Sequence, residues 1–118
     1  MEDRRKFFRF ESPVKIKYTL GKDMVSRRSL TKNISREGAA FSSNRRLSRK
    51  EILDMEFDIP GDNLPIFAQG MVIWNRESEG GKKEVFEVGI KWINITGFDR
   101  NRILEFAYGQ WLKITDGY

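Results

Sequence analysis

Between positions 53 and 59 the chain alternates without a fault: Leu53, Met55, Phe57 and Ile59 are apolar, and Asp54, Glu56 and Asp58 between them are acidic. Only an extended backbone turns every second side chain to the same side, so this run demands a strand with one face in a core and the other in water. A helix of the same sequence would scatter both sets around its axis. Pro60-Gly61-Asp62-Asn63 then ends the strand with residues suited to a turn. The alternation also explains the three carboxylates as a solvated strand face, not a metal or acid–base cluster.

The same period recurs elsewhere. After Pro13, Val14, Ile16, Tyr18 and Leu20 alternate with Lys15, Lys17 and Thr19, and Gly21-Lys22-Asp23 reads as a hairpin turn into a weaker strand over 24–34. Ser35-Arg36-Glu37-Gly38 reads as a second turn, after which Ala39-Ala40-Phe41 resumes an extended run. Two β-rich runs, 66–75 and 85–94, flank Glu79-Gly80-Gly81-Lys82 as the arms of a long hairpin with a flexible tip, with Phe86, Val88, Ile90 and Trp92 on one face. Beyond Gly97 the period changes, and Ile103, Leu104, Ala107, Tyr108 and Trp111 fall at helical spacing behind Asp99. The expected fold is all-β with one helix: a six-stranded antiparallel β-barrel, closed so that no edge is exposed, followed by a C-terminal α-helix. At 118 residues this is one domain, read as a flexible basic N-terminal arm over 1–12 and the barrel with its helix over 13–118.

Composition narrows the chemistry. The sequence contains no cysteine and no histidine, so it lacks disulfides, thiolate nucleophiles, Cys/His zinc ligands and the commonest neutral-pH general base. No enzyme is expected, nor any catalytic residue, metal ligand or cofactor. No apolar run approaches the ~20 residues that span a bilayer, and MEDRRKFFRF has no apolar signal core; a cytoplasmic protein without membrane insertion is expected. The formal charge of +5 favours an anionic partner. Four of the first nine residues are basic, Arg4, Arg5, Lys6 and Arg9, so the arm is where an anion would be met first.

Two short patterns stand out. Arg5-Lys6-Phe7-Phe8-Arg9 fits RxxxR, and Asn33-Ile34-Ser35-Arg36-Glu37-Gly38 fits (D/N)xSxxG. Each alone is weak: a charged arm is commonly just solvated, and NxSxxG commonly just turns the chain. Their order, their separation by one hairpin, and the later segments Gly70-Met71-Val72-Ile73-Trp74 and Val88-Gly89-Ile90-Lys91-Trp92 together resemble the PilZ domain family over nearly the whole chain. That resemblance implies a six-stranded barrel with a C-terminal helix and a bacterial receptor for the second messenger cyclic di-GMP. It maps the ligand-binding positions to Arg5, Arg9, Asn33, Ser35 and Gly38. Arg4, just before RxxxR, is implied to favour a stacked pair of ligand molecules over a single one.

The chemistry of those residues suits such a ligand. Forked guanidinium donors match phosphate oxygens and the O6 and N7 edge of guanine, and they stack on purine faces as lysine cannot. Asn33 and Ser35, two apart, would point the same way on an extended backbone and accept hydrogen bonds from guanine, with Gly38 allowing close approach. Where the family often has Asp, Asn33 supplies an amide, a weaker acceptor than a carboxylate. The expected mechanism is that ligand orders the arm against the barrel and a protein partner reads the result. Two rival readings are a PilZ-like interaction module of pilus or flagellar machinery that binds no nucleotide, and a small basic barrel for single-stranded nucleic acid; DNA is not an expected partner. Trp74, Trp92 and Trp111 read as structural, and Arg45-Arg46-Leu47-Ser48-Arg49-Lys50 as a solvated connector.

Overall fold

A computed structural model of the protein describes residues 10–11, 13–21, 24–77 and 85–116. Among them lie seven strands and one helix: β1 Phe10–Glu11, β2 Lys15–Leu20, β3 Ser26–Ile34, β4 Gly38–Ser43, β5 Ile52–Asp58, β6 Ile66–Glu77, β7 Phe86–Asn94 and α1 Gly97–Asp116. All pairings are antiparallel, in the order β1-β3-β2-β5-β6-β7-β4, and β4 returns to pair with β3. The six longer strands therefore close on themselves as the six-stranded barrel that the alternation demanded. The two-residue β1 pairs with the end of β3, on the edge opposite β4 and beyond the stretch that β2 covers.

The barrel consists of two three-stranded meanders, β2-β3-β4 and β5-β6-β7, joined at two seams. At one, β2 meets β5 with Lys15 opposite Asp58. At the other, β4 meets β7 with Gly38 opposite Lys91 and Ser43 opposite Phe86. Every second residue of β2, β5 and β7 fills the interior, among them Ile16, Tyr18, Leu53, Phe57, Val88 and Ile90, all nearly solvent-free. Burying side chains of this size stabilises each by about 1.5–3 kcal/mol against exposure. The Tyr18 ring lies 4.9 Å from Phe41, and its hydroxyl meets the Ser43 hydroxyl at 3.1 Å, so the buried phenol keeps a polar partner.

Strand β3 departs from simple alternation. Thr31 and Ile34 both point inward, because a bulge between Thr31 and Asn33 inserts one residue that has no counterpart on β4. Thr31 is tolerated in the core because its hydroxyl accepts the Val14 amide at 2.8 Å. Leu30, ahead of the bulge, is left exposed on the outside.

Helix α1 starts at a Thr cap: the Thr96 hydroxyl accepts the Asp99 amide at 3.0 Å. Ile103 and Ala107 are buried and Leu104 half-buried, whereas Tyr108 turns to solvent. Arg102 ties the first turns to the β5–β6 connection through Asp99 at 2.9 Å and Asp62 at 2.6 Å. The side chain of Trp111 lies outside the described residues, as do the hairpin tip Glu79-Gly80-Gly81-Lys82 and Lys22-Asp23 of the first turn. No described helix is long and apolar enough to cross a membrane.

Candidate functional site

The NxSxxG segment bridges β3 and β4, and its three named residues occupy different positions. Asn33 lies on the outward side of β3, half-buried, opposite Ala40 of β4 on one flank and Glu11 of β1 on the other. Strand β3 ends at Ile34, so the extended geometry that would align Asn33 with Ser35 stops one residue short. Ser35 is only 2% exposed, and its hydroxyl is turned into the loop, accepting the amides of Glu37 and Gly38, each at 3.3 Å. Its backbone amide donates to the Gly38 carbonyl at 2.8 Å. Ser35 thus shapes the turn that its position in the motif suggested would face a ligand.

Gly38 begins β4 directly against β7. A Cβ built there would lie 1.8 Å from the Ile90 carbonyl oxygen and 2.9 Å from its carbon, so only glycine lets the two backbones approach this closely. The loop is also fastened to Trp92. The Trp92 backbone amide donates to the Glu37 carbonyl at 2.8 Å and its indole N–H to the Ser35 carbonyl at 3.4 Å, while its ring packs edge-on to Phe57 in the core at 5.4 Å. Arg36 and Glu37 are exposed at the tip.

The two residues that follow RxxxR pair with the strand end that carries Asn33. In β1, Phe10 is opposite Ile34 and Glu11 opposite Asn33. Arg4, Arg5 and Arg9 lie outside the described residues; Arg9 immediately precedes Phe10 in the chain.

From Asn33 an outward-facing row crosses the barrel through cross-strand partners: Asn33 to Ala40, Ala40 to Gly89, Gly89 to Trp74. Small residues hold the middle and the indole of Trp74 stands at the far end. The ring lies over Gly89, where a Cβ would fall 2.2 Å from it. A register shift between Val72 and Trp74 turns this tryptophan outward, half-buried, so it is an outer wall of the face that the strand pattern had read as structural. Its only sequence signal was an aromatic followed at once by the polar Asn75 and Arg76.

Beside this row runs a charged one. Glu87 on β7, opposite Ser42 of β4 and Arg76 of β6, bonds the Lys32 ammonium and takes two bonds from the Arg76 guanidinium, at 2.9 and 2.7 Å. The guanidinium also sits 5.3 Å from the centre of the Trp74 ring, a cation–π distance. Lys32, and after it Arg76, holds the Glu87 carboxyl below the usual carboxylate range, against the partial burial that works to raise it.

Elsewhere, a groove of about 610 Å³ lies over β2, β3 and β5, lined by Lys15, Lys17, Arg28, Glu56, Asp58 and Asp62 among others; none of Asn33, Ser35 and Gly38 borders it. The basic run at 45–50 is exposed except for Leu47, which is buried and held through its amide and carbonyl by the Asn75 side chain. Among the described residues no group of three or more Asp, Glu, His or Cys could hold a metal ion.

A closed six-stranded barrel with one C-terminal helix, carrying NxSxxG on the loop into its closing strand, defines a class of domain. The chain belongs to the PilZ domain family, whose model matches residues 3–109. Among solved structures it is similar to the PilZ domain of Escherichia coli YcgR with c-di-GMP, at 15% identity and a TM-score of 0.72, covering 98% of this chain and 100% of that one. It is also similar to Bacillus subtilis MotI/DgrA, an inhibitor of motility, at 18% identity and a TM-score of 0.76, covering 95% of this chain and 53% of that one. The K. pneumonia MrkH complex with c-di-GMP gives 15% identity and a TM-score of 0.77, covering 99% of this chain and 56% of that one. The chain thus spans little more than half the length of MotI/DgrA and MrkH. No curated protein matches the sequence.

Proposed function

We propose that this PilZ domain is a cyclic di-GMP receptor that uses Arg5, Arg9 and Asn33 as its polar contacts, with Ser35 and Gly38 building the loop that carries them. The observation that carries the reading is the register of β1: Glu11 opposite Asn33 brings the end of the arginine-bearing arm alongside NxSxxG. The outward row from Asn33 to Trp74 supports it, since half-buried Trp74 offers an aromatic ring beside the small residues Gly89 and Ala40, in register with Asn33. The ligand orders arm 1–12 against the barrel, and a protein partner reads that surface; Arg4 favours a stacked pair of ligands because each added guanidinium offsets repulsion among four phosphates. The domain is a non-catalytic, cytoplasmic bacterial module.

The test is isothermal titration of cyclic di-GMP into the wild type and an Arg5→Ala/Arg9→Ala variant, with GTP as control. Saturable binding that the double variant loses is the expected outcome, with a stoichiometry near two ligands per chain. On saturation the transverse relaxation rates and heteronuclear NOEs of residues 2–9 should rise; unchanged relaxation would sink the ordering mechanism while leaving the receptor reading intact.

One observation favours a second reading. Ser35 and Gly38 have sufficient reason to be what they are in the turn and in the approach to Ile90, so half of the motif follows from the fold alone. A wild type that binds no cyclic di-GMP points to an interaction module that keeps the loop for its architecture.

A further inference from the structure

Two strand irregularities flank the face that begins at Asn33. In β3, the bulge between Thr31 and Asn33 sets two consecutive polar side chains, Lys32 and Asn33, outside the barrel. In β6, the shift between Val72 and Trp74 turns out Trp74 and, two residues on, Arg76. Bulges re-aim side chains in this way beside functional surfaces. Both edges thereby send a cation to one carboxylate, Glu87, which is central and only 15% exposed, whereas Arg76 is 66% exposed. Glu87 lies two residues along β7 from Gly89, so the charged row runs about 7 Å from the row of Asn33, Ala40, Gly89 and Trp74. The guanidinium of Arg76 leans back over the Trp74 ring and links the two rows.

We propose that Lys32 and Arg76 are a second phosphate-binding pair on this face, and that Glu87 sets its strength by competing with the ligand for both cations. The inference rests on the cyclic di-GMP reading and deepens it. Two cations and one anion leave a net charge of +1 on the triad. An incoming phosphodiester oxygen can accept from the same donors that Glu87 now occupies, but must do so against the field of the carboxylate. Glu87 therefore keeps the cations in place between the rows and at the same time lowers affinity for anions. Arg76 carries the planar fork and the ring contact, so it is the more demanding of the two positions.

The test is titration of cyclic di-GMP into wild type, Lys32→Ala, Arg76→Gln, Arg76→Lys and Glu87→Gln at low and moderate salt, with thermal melts of each. Loss of one charge-assisted bond should weaken binding about tenfold in Arg76→Gln. Arg76→Lys recovers part of that loss, since it restores charge without the fork, and Lys32→Ala weakens binding less than Arg76→Gln does. Glu87→Gln tightens binding several-fold at low salt, with the gain shrinking as salt is added. If the wild type binds and loses binding in Arg5→Ala/Arg9→Ala, yet all four triad variants stay within twofold of it, the triad is only a surface ion-pair network and the inference is overturned. Glu87→Gln weakening the ligand would likewise overturn the competing role. A wild type that binds nothing overturns the receptor reading itself, and this inference with it.

Discussion

Gly38 makes the case that a binding motif can be a structural requirement first. A methyl group there meets the Ile90 carbonyl, part of a strand that cannot yield without opening the β4–β7 seam. Gly38→Ala is expected to lower stability by about 1–3 kcal/mol, as overpacking does, read as a fall in the urea midpoint without a change in slope. Ser35→Ala removes the acceptor of two loop amides at a nearly solvent-free position, and should cost about 1–3 kcal/mol by the same measurement. Asn33→Ala, on the outward side, should change the midpoint less than either while weakening cyclic di-GMP more for each kcal/mol of stability lost. Equal midpoints for Gly38→Ala and wild type would mean that the seam is looser than its geometry.

At the level of strands, Glu87 holds three of them at once: Lys32 from β3 and Arg76 from β6 meet on β7. Because its folded carboxyl titrates below the ordinary value of 4.5, its contribution is fully present above about pH 4.5 and is lost as pH falls through the lower folded value. The stability gap between wild type and Glu87→Gln should therefore be flat from pH 7 to pH 5 and narrow below pH 4.5, followed by urea denaturation at each pH. A gap that persists unchanged at pH 3 would show that Glu87 acts through packing. This triad was invisible in the sequence, since its members are 11 and 55 residues apart and only the strand register brings them together. The regular strands were legible because alternation is local: Leu53 to Ile59 could be nothing else. Bulges are not local in that sense, being a mismatch in count between two strands. That is why Leu30 faces out of its strand and why Trp74 read as structural yet walls the face, whereas Asn33 and Ser35 part because β3 ends between them, at Ile34.

For the whole molecule, the two meanders and their seams determine how a ligand can matter to the fold. Each meander is joined by sequence-adjacent pairings, whereas β2–β5 and β4–β7 bring together distant segments and must be formed at the expense of loop entropy. The face from Asn33 to Trp74 crosses the β4–β7 seam, with Asn33 and Ala40 contributed by one meander and Gly89 and Trp74 by the other. A ligand bridging that face binds only the closed barrel, so its binding energy adds to the stability of the seam. Cyclic di-GMP at 100 times its Kd should raise the unfolding free energy by about 2.7 kcal/mol. Hydrogen exchange can locate that gain. Protection should rise most at the amides paired across β4 and β7, those of residues 39–43 and 86–90, and least within the β5–β6 pairing, which the ligand does not span. A uniform rise would mean that the barrel opens only as a unit; a rise confined to β2 and β5 would place the ligand over the 610 Å³ groove, on the opposite seam from the one the motif marks.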